Sequence, residues 1–241
     1  MVEHANIIAS VGQPKLIENA ARSVGNDNNG LHTEPFLGRV SMLCFLYGPG
    51  EPGRYTATPM NAFESIVAGI LEAQGFWVRT NFKVDLTKEQ KAQIGRPTTP
   101  RWDLDVVAYQ PGSNLLRIVE CKSYLDSAGV SFRGFDPETG GTDRYKLFND
   151  ENLRNVIIGA LVSQLDTYQL LRGRPTVELC LAAGNIRQSS VAKLESHFTK
   201  QGWGLYDADW ILSGIQRVAD SGYEDSTLSI MAKLIGQKNA V

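Results

Sequence analysis

The feature that most constrains the fold is a pair of strand-forming segments joined by a short turn, from Arg101 to Lys122. Leu104–Tyr109 and Leu115–Val119 are rich in β-branched and aromatic residues, and Pro111-Gly112-Ser113-Asn114 between them is turn chemistry. If Gln110 faces Leu115 across that turn, Asp105 falls opposite Glu120 and Asp103 falls opposite Lys122. Residues two apart share a face of a strand, so these four polar side chains lie on one face and Cys121 points to the other. A slip of one residue would undo the arrangement. Two carboxylates placed directly opposite each other repel. A divalent cation removes that penalty, because magnesium and manganese prefer hard oxygen ligands. A lysine beside them can hold a water or a phosphate oxygen. The plain alternative is a partly exposed hairpin with a solvated polar face and an Asp103–Lys122 ion pair.

A chain of 241 residues, 42% hydrophobic and 21% charged, has the composition of a globular protein with a substantial core. The net charge of −2 gives no global basic field, so nucleic-acid binding would need local patches. Cys44, Cys121 and Cys180 are far apart and lack paired metal-ligand spacing. The start Met1-Val2-Glu3-His4-Ala5-Asn6 lacks the regions of a signal peptide, and no apolar run reaches the length of a membrane span. A cytoplasmic setting is therefore expected, with no membrane partner.

Residues 1–57 read as an extension or arm of unknown role, holding a short helix over 13–23 and an apolar run over 40–47. Residues 58–241 read as the domain. A helix opens at Thr58 or Asn61, carries Phe63, Ile66, Val67, Ile70 and Leu71 as its apolar stripe, and ends at Gly75. Glu64 sits at the margin of that stripe, where a capping box with Asn61 is the plain reading and reach into the sheet the functional one. Phe76–Leu86 alternates like a half-exposed strand. From residue 79 to 101, Arg79, Lys83, Lys88, Lys91, Arg96 and Arg101 outnumber Asp85 and Glu89, which suits either a phosphate track or a solvated linker.

The irregular stretch 123–150 mixes Tyr124, Phe132 and Phe135 with Arg133, Arg144 and Lys146. It suits base stacking and phosphate contact, or a lid over the sheet. Glu151–Arg172 is the longest helix, with Gln164 on its buried stripe four residues before Tyr168. Such an amide needs partners, and a satisfied core amide is its plain reading. Strands at Thr176–Ala183 and 202–206 and helices over 189–201, 209–219 and 227–235 complete the pattern. The order predicts an α/β fold, a central mixed sheet flanked by helices.

A helical glutamate, a strand aspartate and a Glu-x-Lys on the next strand stand here as Glu64, Asp105 and Glu120-Cys121-Lys122. This series resembles the PD-(D/E)xK nuclease superfamily, whose restriction-endonuclease-like core has the same element order. Gln164-Leu165-Asp166-Thr167-Tyr168 looks like the Gln-x-x-x-Tyr motif of its RecB and lambda-exonuclease branch. The resemblance covers residues 58–210. It departs at the proline, since Pro100 precedes Asp105 by five residues.

The resemblance implies a metal-dependent nuclease that hydrolyses phosphodiesters of DNA, as an endo- or exonuclease in defence or repair. Asp105, Glu120 and the Cys121 backbone carbonyl would bind Mg²⁺, with Mn²⁺ as a substitute, and Glu64 a second ion or its water. Lys122 would orient or deprotonate the attacking water. Gln164 and Tyr168 would position the substrate or the lysine, with Asp103 as a partner for Lys122. Arg79, Lys83, Arg101, Arg133, Arg144 and Lys146 are the candidate nucleic-acid contacts. A homodimer is compatible with double-strand cutting. Two other classes compete. One is a catalytically silent nuclease-fold module for DNA binding or assembly. The other is an acyl or phosphoryl transferase on a mixed sheet, which lacks support because no nucleophile elbow or phosphate-binding glycine loop is present.

Overall fold

The computed structural model describes residues 61–136, 138, 144–222 and 224–238. The helix and apolar run expected before residue 58, and the boundary at 57/58, lie outside the described residues.

Helix α1 (Ala62–Ala73) starts at Asn61, whose side chain accepts the Phe63 N–H. It buries Phe63, Val67, Ile70 and Leu71, and it stops at Gly75, whose φ of 83° an L side chain rarely adopts. Strand β1 (Trp77–Asp85) follows, then a short helix α2 (Lys88–Gln93), then strands β2 (Arg101–Gln110) and β3 (Leu115–Lys122). The chain goes on through a one-turn helix α3 (Lys146–Asn149), helix α4 (Glu151–Thr167), strand β4 (Thr176–Ala183), helix α5 (Val191–Gln201), strand β5 (Gly204–Tyr206) and helices α6 (Ala208–Asp220) and α7 (Thr227–Lys238).

The strands form one mixed sheet in the order β1-β2-β3-β4-β5. The β1–β2 and β2–β3 pairs are antiparallel, and β3–β4 and β4–β5 are parallel. The topology follows from connection length. A four-residue turn can only reverse the chain, whereas parallel neighbours need a crossover, supplied here by α4 and α5. Helices α1, α6 and α7 cover one face through Val67, Leu71, Ile211 and Leu228, packed on Val106, Val119 and Cys180. Helices α4 and α5 cover the other through Leu161, Leu165 and Phe198, packed on Val107, Leu116 and Leu181. The fold is thus α/β, with a mixed sheet between helices. Strands β3 and β4 are apolar on both faces because both faces are covered.

The hairpin turn is held from outside. Asn114 has φ 49°, accepts the Tyr109 hydroxyl at 2.8 Å through Oδ1, and takes the Thr176 N–H on its backbone oxygen at 3.0 Å. Gln110 pairs with Leu115, the expected register.

Two local readings need correction, and one left open is narrowed. Helix α4 ends at Thr167, not Arg172: Tyr168 caps it, Gln169 turns left-handed at φ 56°, and the Leu170 N–H closes back on the Leu165 carbonyl. No glycine marks that stop, so periodicity ran on past it. Part of the basic linker is α2, set by a capping box in which Thr87 and Gln90 satisfy each other's backbone N–H groups. The aromatics of 123–150 resolve toward packing: Phe135 and Tyr145 are buried and stacked at 4.3 Å, and Phe148 lies edge-on to Trp203 at 5.1 Å. Phe135, Tyr145 and Phe148 belong to the α5 side of the core, while Tyr124 and Phe132 pack against it partly buried.

Candidate functional site

The site is built where two strands part company. The β2–β3 ladder runs from Gln110↔Leu115 to Val106↔Val119. Beyond it, β2 stays with β1 out to Arg101↔Asp85, while β3 stays with β4 out to Lys122↔Ala183. Asp105 therefore does not face Glu120 as a ladder pair, and Asp103 does not face Lys122. The register is as expected, but the strands diverge before reaching those positions. Asp105 sits in the fork. Its Oδ2 accepts the Cys121 N–H at 2.7 Å, a backbone donor that β2 would otherwise have paired.

A second irregularity lies opposite Asp105 on β1. The pairing Thr80↔Val106 resumes at Phe82↔Leu104, with Asn81 and Asp105 left out of the ladder between them. Before this point Trp77, Val107 and Tyr109 face the α4 side, and after it Phe82, Val84 and Leu104 do. Alternation has shifted by one in both strands. The cause is Asn81, whose φ of 50° turns its peptide out of the extended region. Asparagine is among the few side chains that tolerate this conformation.

The shift aims Asn81 at α1. Its Nδ2 donates to Glu64 Oε2 at 3.3 Å. Glu64 is only 6% exposed, deeper than the helix-margin position expected from the sequence. It does not close a capping box, although the Asn61 side chain favours its charged form. On β3, Glu120 and Lys122 share a face, and Lys122 Nζ donates to Glu120 Oε1 at 2.6 Å.

Electrostatics tie these groups together. Glu64 is pushed above the ordinary carboxylate range by burial and then by the Asp105 charge. Glu120 is pushed up for the same two reasons, with Lys122 pulling the other way. Burial works to lower the Lys122 ammonium, but Glu120 and Asp105 outweigh it and the net shift is upward. Lys122 is thus a cation at neutral pH. Burial, reinforced by Asp105, Glu64 and Glu120, drives the Cys121 thiol upward and makes it inert. Three carboxylates with one ammonium share a partly buried place.

Other expected members lie elsewhere. Asp103, 66% exposed in its side chain, pairs with Lys83 at 2.8 Å instead of Lys122. Past the fork β2 has left β3, so its nearest cation is across β1. Arg101 pairs with Asp85 at 2.8 Å. Gln164 does not reach Lys122: its Oε1 accepts the Asp85 N–H at 3.0 Å and its Nε2 donates to the Lys83 carbonyl at 3.2 Å. It pins α4 to the edge of β1, as a further strand would. Tyr168 caps α4 and packs against the α4-side core. Arg79 sits half-exposed on β1 opposite Val107, Arg133 in a 3₁₀ turn, and Arg144 and Lys146 flank buried Tyr145.

The sequence reading missed Asn81, and it offered Tyr124 only as one of the stacking or lid aromatics of 123–150. Asparagine inside a strand pattern was the available signal, since it is depleted in strands. Tyr124, two residues past Lys122, is left-handed at φ 44° and adds to the upward pull on Lys122.

A search of family models, curated proteins and solved structures finds no match to this chain. Among the described residues no three His, Cys, Asp or Glu side chains stand close enough together to hold a metal ion. Each carboxylate instead leans on a protein donor: Glu64 on Asn81, Asp105 on the Cys121 amide, Glu120 on Lys122. The donor chemistry, three carboxylates whose mutual repulsion raises two of them, does suit a hard divalent cation. No described helix is long and apolar enough to cross a membrane.

Proposed function

We propose that this chain is a metal-dependent nuclease with a restriction-endonuclease-like core of the PD-(D/E)xK type, acting on DNA. One arrangement carries the reading: Asp105 stands in the β2–β3 fork, Glu120 and Lys122 pair beside it on β3, and the Asp105 charge reaches both Glu120 and Glu64. A purely structural cluster would match its charges, whereas this one keeps a negative excess in a poorly solvated place. Asp105 and Glu120 would hold Mg²⁺ or Mn²⁺, with Glu64 reaching the ion or its water. Such an ion lowers the pKa of a bound water and offsets charge on phosphate.

The chain's own residues supply the rest. Lys122, protonated and steered by Glu120, donates a hydrogen bond to the attacking water or to a phosphate oxygen and offsets its developing charge. Asp105 couples the two strands through the Cys121 amide, so its position is fixed by backbone and not by a flexible loop. Gln164 stiffens the β1 edge that carries Asn81.

The test is Mg²⁺- or Mn²⁺-dependent cleavage of linear duplex, closed circular and single-stranded DNA, and of RNA, by wild type and Lys122→Ala. Loss of the lysine is expected to cost about 10²–10⁴-fold. Cutting of linear but not circular DNA makes it an exonuclease, and cutting of circles an endonuclease. No cleavage of any substrate refutes the catalytic reading. A silent DNA-binding module is the second reading, favoured by the protein donor that each carboxylate already has. It predicts metal-independent DNA binding that survives Asp105→Asn.

A further inference from the structure

We propose that Asn81 is a positioning residue of the acidic site, presenting the Glu64 carboxylate for cation binding. The inference rests on the metal-ion reading above and assigns a role to a residue outside the Glu64–Asp105–Glu120–Lys122 set.

Three observations meet at this residue. The first is backbone conformation. Asn81 lies within the nine-residue strand β1 with φ 50°, where glycine would sit without strain. A side chain kept at such a position has a use that outweighs its conformational cost. The second is contact. The Asn81 amide donates to Glu64, a residue 17 positions earlier and on a different element. The Asn61 amide, whose Oδ1 accepts the Phe63 N–H, favours the charged form of the same carboxylate. The contact that orients Glu64 is therefore a neutral amide. The third is register. Asn81 stands opposite Asp105, and the same break in the ladder releases both residues. One kink in β1–β2 thus sets the place of two of the three carboxylates.

The neutrality of the cradle is the deciding point. A carboxylate meant only to be buried is best matched by a cation, and this fold does so elsewhere by placing Arg117 on Glu178 at 2.6 Å. Amides fix the direction of a carboxylate without cancelling its charge. That is what a supporting group does for a metal ligand, and loss of such groups weakens metal affinity by about 10–100-fold. A lysine at position 81 would hold Glu64 equally well and leave less charge for an ion.

The test uses the full chain with Asn81→Gly and Asn81→Ala. Both remove the amide. Glycine accepts the positive φ and alanine does not, so the two differ in backbone strain alone. Mn²⁺ and Mg²⁺ affinities are measured by calorimetry, and melting temperatures with and without metal. The expected result is a fall in Mn²⁺ affinity of about tenfold or more in both variants. The glycine variant should melt, metal-free, at or above wild type, and the alanine variant below it. A glycine variant that binds Mn²⁺ as tightly as wild type overturns this inference alone. A wild type that binds neither ion overturns it together with the metal-ion reading.

Discussion

Strands β3 and β4 carry a charged cluster at each end, and the two are built on opposite rules. At the end where β3 begins, Arg117 stands beside Glu178 in the ladder and donates to it at 2.6 Å. Its guanidinium lies 4.8 Å from the Phe76 ring centroid and 5.9 Å from that of Tyr206. The Cys180 thiol donates to the Tyr206 hydroxyl at 3.3 Å, and Tyr206 stacks on Trp210 at 4.1 Å. One cation meets one carboxylate, and aromatic faces complete the shell. At the other end, Lys122 pairs with Glu120, and the Asp105 charge raises both Glu64 and Glu120. The first cluster is closed and stabilises the fold. The second keeps a negative excess, and on the proposed reading a cation would relieve the opposition among its carboxylates. The same pair of strands thus separates a matched cluster from an unmatched one.

The sharpest way to break this comparison is to remove one charge from each cluster. Asp105→Asn keeps an oxygen for the Cys121 amide and relieves repulsion on Glu64 and Glu120. Its metal-free stability should stay within about 1 kcal/mol of wild type, on the favourable side. Metal-dependent cleavage should fall by at least about 10²-fold and the Mg²⁺-dependent rise in melting temperature should vanish. Arg117→Ala should do the reverse. It strands Glu178 and uncovers Phe76, at a cost of about 2–3 kcal/mol, below the fully buried case because both side chains keep some water contact. Cleavage per folded molecule should not change. Replacing both partners, Arg117→Met with Glu178→Leu, should recover most of the loss. Denaturant melts beside cleavage assays decide it, and matched losses in both readouts from both variants would dissolve the distinction.

Proton linkage separates the clusters next. Glu64 and Glu120 have raised pKa values in the fold, while the unfolded chain releases these protons near the ordinary 4.5. Between those limits the folded state binds more protons than the unfolded state. By linkage its stability then falls as pH rises from about 4.5 through the raised values, and levels off above them. A cation needs deprotonated carboxylates, so the stabilisation it gives should open over the same window. Melting temperatures from acid to neutral pH, in chelator and in Mg²⁺, should diverge upward for wild type and much less for Glu120→Gln. Parallel curves for the two proteins would show that this cluster is not an ion site.

The regular part of the molecule was legible and the useful irregularities were not. Alternation and turn residues gave the hairpin, its register and the helical stripes, because those depend on periodicity and burial. The same regularity misplaced Asp103. Extending a hairpin past Val106 assumes that two strands stay together, and nothing in Arg101–Asp105 announces that β1 keeps β2 while β4 keeps β3. Gln164 was recognised as an amide that needed partners, but they are backbone groups of β1, nearly 80 residues away. Asn81 carried a local signal, an asparagine inside a strand pattern, but its partner Glu64 is not local. What a sequence hides here is which strand stays with which neighbour, and that decides where each carboxylate goes.

The smallest expected effect tests that correction directly. Beyond the fork, Lys83–Asp103 and Asp85–Arg101 are cross-strand ion pairs at 2.8 Å, all four side chains well exposed. Exposed pairs of this kind contribute about 0.2–1 kcal/mol and are screened by salt. Asp103→Ala should therefore cost no more than that, with the loss shrinking at high salt. If Asp103 were a partner of Lys122, the same change would free the lysine and alter cleavage as Glu120→Gln does. With the pairing seen here it leaves Lys122 on Glu120, and the pH profile of cleavage should superimpose on wild type. Lys83→Ala removes the same pair but also a positive charge beside the site. If only Lys83→Ala weakens DNA binding, with a shallower salt dependence, then this ribbon's cations follow the phosphate backbone while its carboxylates only hold them in place.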